Sequence, residues 1–173
     1  MSKKDLKIYL NTLKKKQLEE QVLDLYDRFN EVKTFYNFVF KPKEDKLLED
    51  AKFKISKEYF PVNSRKPKTR RSVAQNIIKH FIQLGVDAYI VSDVMIYNIE
   101  IAQKYSNQKE IKQESFYKSM LKSFEQAVEF INENNLNDEF NVRMIKVISS
   151  SKEQNWMNFE EFEFVFRNLD NSL

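Results

Sequence analysis

Leu18, Val22, Leu25, Phe29 and Val32 recur at intervals of four, three, four and three. That spacing puts them on one face of a helix predicted from about Lys14 to Lys33, with Glu20, Asp24, Asp27 and Glu31 on the opposite face. Before it, Ser2 and Asp5 mark a helix start, and Leu6 and Leu10 supply a short amphipathic stretch that ends at Asn11-Thr12. After it comes an aromatic block, Phe35 to Phe40, closed by Lys41-Pro42. Pro42 suits a first helical position, and Glu44 and Asp45 suit the positive end of the helix dipole. The buried stripe of that helix is Leu48, Ala51, Ile55 and Tyr59, and Phe60-Pro61 stops it.

Residues 61–71 read as a basic interhelix linker. Ser72 with Gln75 then forms a capping-box pattern, followed by the stripe Val73, Ile77, Phe81 and Leu84. Gly85 is the expected left-handed cap, and Asp87 caps the next helix two residues later, which predicts a tight antiparallel hairpin. Its second arm, about Ala88 to Tyr105, is apolar over most of its circumference and therefore central to the core. Tyr117, Leu121, Phe124, Val128 and Ile131 line a further helix, with Asn134-Asn135 as the break after it. Asn137 is read as the cap of a helix bearing Phe140, Met144 and Ile148. Asn158 and Glu161 form a second capping-box pattern ahead of Phe162, Val165, Phe166 and Leu169.

One Gly and three Pro in 173 residues leave little to interrupt this string. The expectation is an all-α fold, residues 1–173 as a single domain of about seven helices. It is read as a helical bundle, with a short HEAT-like stack of antiparallel helix pairs as the rival. No internal repeat period favours the stack. The absence of Cys removes disulfides, thiolate chemistry and Cys-based metal sites, and fits a reducing compartment. No apolar run reaches signal-peptide or membrane-span length, so a cytoplasmic location is expected.

Three segments, Ser2-Lys3-Lys4-Asp5-Leu6, Lys41-Pro42-Lys43-Glu44-Asp45 and Arg70-Arg71-Ser72-Val73-Ala74-Gln75, resemble an uncharacterised bacterial family of small helical proteins, a domain of unknown function. The resemblance implies a bacterial cytoplasmic protein. It assigns no activity, substrate or site residue.

The net charge of +3 conceals a split. Residues 1–71 hold 19 Lys and Arg against 11 Asp and Glu, and residues 72–173 hold 10 against 15. Such asymmetry serves an anionic partner, or two halves that attract each other. Arg65, Lys66, Lys68, Arg70 and Arg71 place five cations within seven residues, a cluster able to bind phosphates by Coulomb attraction and counterion release. The competing reading is a solvated loop, or one paired with the acidic C-terminal half. The acidic face Glu20, Asp24, Asp27 and Glu31 points away from the apolar stripe, so no metal is expected there. His80, the lone His, is read as a boundary residue of its helix. Asn98 falls inside the apolar arc of the central helix, where an amide must find partners or cost about 1–3 kcal/mol.

The late aromatic block Trp156, Phe159, Phe162, Phe164 and Phe166 is too dense for one helix face, and is read as a protein-interaction or homodimer surface. No catalytic residue, cofactor or metal ligand is expected. The function expected first is a non-enzymatic helical protein that binds a protein partner or itself. The second is a nucleic-acid-associated helical protein that contacts phosphates through 65–71. An enzyme ranks third, because Cys, phosphate-cradling Gly-rich loops and His pairs are missing.

Overall fold

The computed structural model describes residues 2–62 and 65–170, with the backbone alone at 169 and 170. All secondary structure among the described residues is helical, in nine α-helices where the sequence reading expects about seven. The chain separates into two compact units, Met1–Lys43 and Glu44–Leu173, where a single domain over 1–173 is the sequence expectation.

The first unit holds α1 (Lys3–Asn11), α2 (Lys15–Arg28) and α3 (Asn30–Phe40). Ser2 and Asp5 form the expected capping box: Asp5 N–H donates to Ser2 Oγ at 3.2 Å and Ser2 N–H to an Asp5 carboxylate oxygen at 2.8 Å. The helix predicted over 14–33 is two helices, because Phe29 adopts an extended backbone with φ −115° and ψ 116°. Phe29 closes α2 by donating its N–H to Leu25 O and opens α3 by accepting from Lys33 N–H. A single extended residue leaves the apolar spacing nearly intact, which is why periodicity reads straight through it. No described residue of this unit is buried. Ile8, Leu23 and Phe40 are its most exposed large apolar side chains.

The second unit holds α4 (Glu44–Tyr59), α5 (Arg71–Leu84), α6 (Ala88–Ser106), α7 (Glu114–Glu133), α8 (Asn137–Glu153) and α9 (Phe159–Asp170). Eleven of the nineteen residues of α6 are buried. A helix apolar nearly all round needs partners nearly all round, and α6 packs against α4, α5, α7 and α8, with α9 laid on α7 and α8. Most of its polar exceptions are paired across helices, whereas the buried Ser92 hydroxyl has no hydrogen-bond partner. Asp93 accepts from Lys52 Nζ of α4 and Arg143 Nη1 of α8, both at 2.6 Å, and Arg143 also grips Glu100. Gln103 donates to Val147 O at 2.7 Å and Ser151 Oγ at 2.9 Å. The Asn98 side chain reaches Ser123 Oγ of α7 at 3.5 Å, and its carbonyl oxygen is buried with no partner.

With one Gly available, the tight helix exits recruit Asn. Gly85, Asn135 and Asn155 have φ of 73°, 57° and 52°, the left-handed conformation that Gly adopts freely and Asn tolerates. After each, the next residue donates back five positions: Val86 to Phe81 O, Leu136 to Ile131 O and Trp156 to Ser151 O. These are the six-to-one bonds of the Schellman motif, and the residue making each is apolar, as that motif favours.

Several caps fall elsewhere than predicted. Helix α5 starts at Arg71 with Arg70 at its cap position, so Ser72 lies inside it and makes no capping bond. Asn137 is the first residue of α8, not its cap, and donates to Asn132 Oδ1 at 3.0 Å. Asn158 precedes α9 but spends its amide on Tyr117 O at 3.1 Å, leaving its carbonyl oxygen without a partner. Pro42 lies two residues ahead of α4. Gly85 and Asp87 behave as predicted, Asp87 accepting from Tyr89 N–H at 2.8 Å.

The burial pattern gives a paired prediction. Phe162 is fully enclosed, its ring 5.1 Å from that of Phe124 and 5.8 Å from that of Trp156, whereas Phe164 is 66% exposed. Phe162→Ala is expected to cost about 3–5 kcal/mol in urea unfolding and Phe164→Ala less than about 0.5 kcal/mol. Equal losses would contradict this packing of α9.

Candidate functional site

The α4 stripe of Ala51, Ile55 and Tyr59 is buried, which turns Phe53, Lys54 and Lys57 outward. In α5 the fully buried positions are Ala74, Ile78, Phe81 and Leu84. The predicted stripe residues Val73 and Ile77 are only half-buried. They sit instead on the flank of α5 that faces the outer side of α4 and the described residues 61, 62 and 65–70 between the two helices. Together these elements enclose a cleft of about 720 Å³. Its lining includes six cations, Lys54, Lys57, Arg65, Lys66, Lys68 and Arg70, against one carboxylate, Glu58. Between the charges lie Phe53, Pro61, Val62, Val73 and Ile77.

Glu58 fixes the wall of this cleft. Its backbone carbonyl accepts from Lys68 N–H at 2.9 Å and Thr69 N–H at 3.0 Å. Its carboxylate takes Arg70 in a two-pronged pair, Nε to Oε2 at 2.8 Å and Nη2 to Oε1 at 2.9 Å. Thr69 is held at φ 48° between these contacts, a conformation unusual for a β-branched residue and tolerated only where neighbours fix it. The hydrogen bonds from Arg70 hold the Glu58 carboxyl below its usual pKa, outweighing the opposing effect of burial.

The five cations of the linker are thus not equivalent. Arg65, Lys66 and Lys68 are exposed and line the cleft. Arg70 lines it too, with its charge largely answered by Glu58. Arg71 turns to α7, where Nε donates to Ser123 Oγ at 2.8 Å and Nη2 to Gln126 Oε1 at 2.6 Å. Both partners are neutral, and burial lowers the pKa of the guanidinium. Arg71 fastens α5 to α7. Lys54 and Lys57 replace it in the cleft, and the sequence did carry a sign of them. They stand three apart on α4, off the Ala51–Ile55–Tyr59 stripe, next to the one aromatic residue of that helix that is also off the stripe, Phe53. Lys57 Nζ rests 4.5 Å from the Phe53 ring centre, within cation–π range.

The other candidate residues distribute as follows. Trp156 and Phe162 are enclosed, with the Trp156 ring edge-on to Phe116, Tyr117 and Phe162. Phe159 and Phe166 are half-buried, and Phe164 is the exposed member of the block. The sequence cannot show that the turn at Asn155 swings Trp156 inward. His80 is exposed, on a shallow cleft beside Asp50, Lys54 and Asn76. Glu20, Asp24, Asp27 and Glu31 are exposed, with Asp24 paired to Arg28 at 2.9 Å. Among the described residues no group of three or more His, Cys, Asp or Glu side chains is placed to hold a metal ion. No helix among them is long and apolar enough to cross a membrane.

Because the folded pKa of Glu58 is depressed, its pair with Arg70 stabilises the fold fully above the ordinary carboxylate range. That contribution disappears as pH falls through the lower folded value. Melting temperatures of the native chain and Glu58→Gln are expected to differ at pH 7 and to converge as pH drops below about 4. A difference that is constant from pH 7 to pH 3 would contradict the clamp.

No curated protein and no solved structure matches the chain. A family model does, over residues 1–170, a span that takes in both compact units and the whole cleft. The chain belongs to the family of unknown function DUF6155.

Proposed function

We propose that this is a non-catalytic helical protein that associates with nucleic acid, contacting phosphates through the cleft between α4 and α5. The observation that carries this reading is the ratio of six cations to one carboxylate around a single concavity, with that carboxylate already committed to Arg70. Coulomb attraction from such a lining is uncompensated within the cleft, and a polyanion releases condensed counterions on entering it. The arrangement of α4, α5, α7 and α8 around α6 supports a helical bundle over a HEAT-like stack. The resemblance noted from the sequence supports a bacterial cytoplasmic setting.

The protein-interaction reading, with a homodimer as its simplest form, draws support from a different place than the C-terminal aromatic block. The first unit buries none of its described residues, and Ile8, Leu23 and Phe40 stand exposed on it. Helical segments of about 40 residues rarely build a sufficient core alone. Self-association through this unit predicts a dimer in sedimentation velocity that becomes monomeric in Ile8→Glu/Leu23→Glu/Phe40→Glu. A native chain that is monomeric at high micromolar concentration would sink that form of the reading.

For the cleft, fluorescence anisotropy of mixed-sequence labelled DNA and RNA is expected to show binding that weakens steeply with salt. Each phosphate contact adds about 0.7–0.9 to the slope of log affinity against log salt. Lys54→Glu/Lys57→Glu/Lys66→Glu/Lys68→Glu is expected to abolish binding, while leaving the Glu58–Arg70 and Arg71–Ser123 contacts in place. Equal binding by both proteins would overturn the proposal.

A further inference from the structure

We infer that the strand received by the cleft is single-stranded, with an unpaired base laid against the apolar lining residues and its flanking phosphates on the cationic ones. The inference rests on the nucleic-acid reading above and adds to it the state of the ligand. The lining combines two chemistries, the cations Lys54, Lys57, Arg65, Lys66 and Lys68 and the apolar residues Phe53, Pro61, Val62, Val73 and Ile77.

A phosphate needs only the cations. A duplex presents phosphates outward and keeps its bases stacked inside, so it would leave the apolar lining facing water or charge. An unstacked base has an apolar face to bury as well as phosphates on either side, and it satisfies both parts at once. The apolar lining is accessible for this. Phe53 is 56% exposed and Val62 55% exposed, although a pure phosphate site would gain nothing from holding either there. Val73 and Ile77 add to the apolar lining because the core stripe of α5 runs through Ala74 and Ile78 instead.

Lys57 joins the two parts. Its ammonium lies over the Phe53 ring at 4.5 Å, so a base meeting the exposed part of that ring comes within reach of a cation that can also take its phosphate. Base–aromatic stacking tolerates any base, since every base has a π face. Among the described residues the lining offers one exposed side-chain amide, Asn76, for reading base edges, so weak sequence preference is expected. The volume of about 720 Å³ lies within the range of small-ligand pockets, and it admits a short stretch of strand, not a folded helix. A free nucleotide shares this chemistry. A strand is favoured because the five cations other than Arg70 exceed what one nucleotide's phosphates need, while successive phosphates of a strand engage them in turn.

The test uses the full chain and four probes: labelled dT20, labelled rU20, a labelled 20-base-pair mixed duplex, and unlabelled mononucleotides as competitors. Expected results are binding of both single strands at physiological salt at least tenfold tighter than the duplex, and no competition by mononucleotides at concentrations near the strand's. Phe53→Ala, at an exposed position, is expected to weaken single-strand binding about tenfold, with Phe53→Tyr restoring it, and to leave duplex binding unchanged. Circular dichroism and melting temperature check that both variants fold. Duplex affinity equal to that of the single strands, or single-strand affinity unmoved by Phe53→Ala, would overturn the inference while leaving the phosphate-contact reading intact. Competition by mononucleotides at strand-like concentration would replace the strand by the free ligand. Loss of all binding, or binding indifferent to the four Lys→Glu changes, would overturn the parent reading itself.

Discussion

The burial of α6 on most of its sides is the constraint on which the second unit depends. A helix whose apolar positions run around most of its circumference excludes water only when it is packed on several sides, and α4, α5, α7 and α8 supply those sides. Each of them must then turn its own apolar stripe toward α6, which fixes what it shows to solvent. For α4 that leaves Phe53, Lys54 and Lys57; for α5 it leaves Val73 and Ile77 half-covered. The cleft is therefore a consequence of how the core is built. The buried ion network around Asp93 belongs to the same arrangement, tying α6 to α4 and α8 where an unpaired carboxylate would be costly.

Glu58 converts a basic linker into a shaped surface. A chain segment with five closely spaced cations repels itself and would stay extended in water. Two backbone hydrogen bonds to the Glu58 carbonyl and a two-pronged pair to its carboxylate hold residues 68–70 against α4. Arg71, immediately after, is anchored to α7 by neutral partners. The result is a division of labour along one run of residues: Arg65, Lys66 and Lys68 keep their charge available, Arg70 organises the wall, and Arg71 joins helices.

Much of this was legible in the sequence, and the limits have physical causes. The all-helical class follows from periodicity and from the scarcity of Gly and Pro. The Gly85–Asp87 hairpin follows from cap chemistry, and the centrality of α6 from the narrowness of its polar face. The break at Phe29 was hidden because one extended residue barely shifts the apolar phase. The turn at Asn155 was hidden because Asn in the left-handed region has no signature beyond its identity, and that turn decides whether Trp156 is surface or core. The basic run 65–71 was visible, but its partners on α4 lie at positions that only the packing of α4 on α6 selects. A one-residue difference in the α5 stripe, Ala74 and Ile78 in place of Val73 and Ile77, separates a plain core helix from one that lines a cleft.

The most direct test of the central claim is a nuclear magnetic resonance titration of the isotope-labelled 20.9 kDa chain with dT20 at physiological salt, following every backbone amide. The account predicts that the largest shift changes cluster at Phe53, Lys54, Lys57, Lys66, Lys68 and Val73. Amides of α8 and α9 should stay in place. Changes centred on α8, α9 or the first unit, with the cleft amides unmoved at saturation, would contradict it.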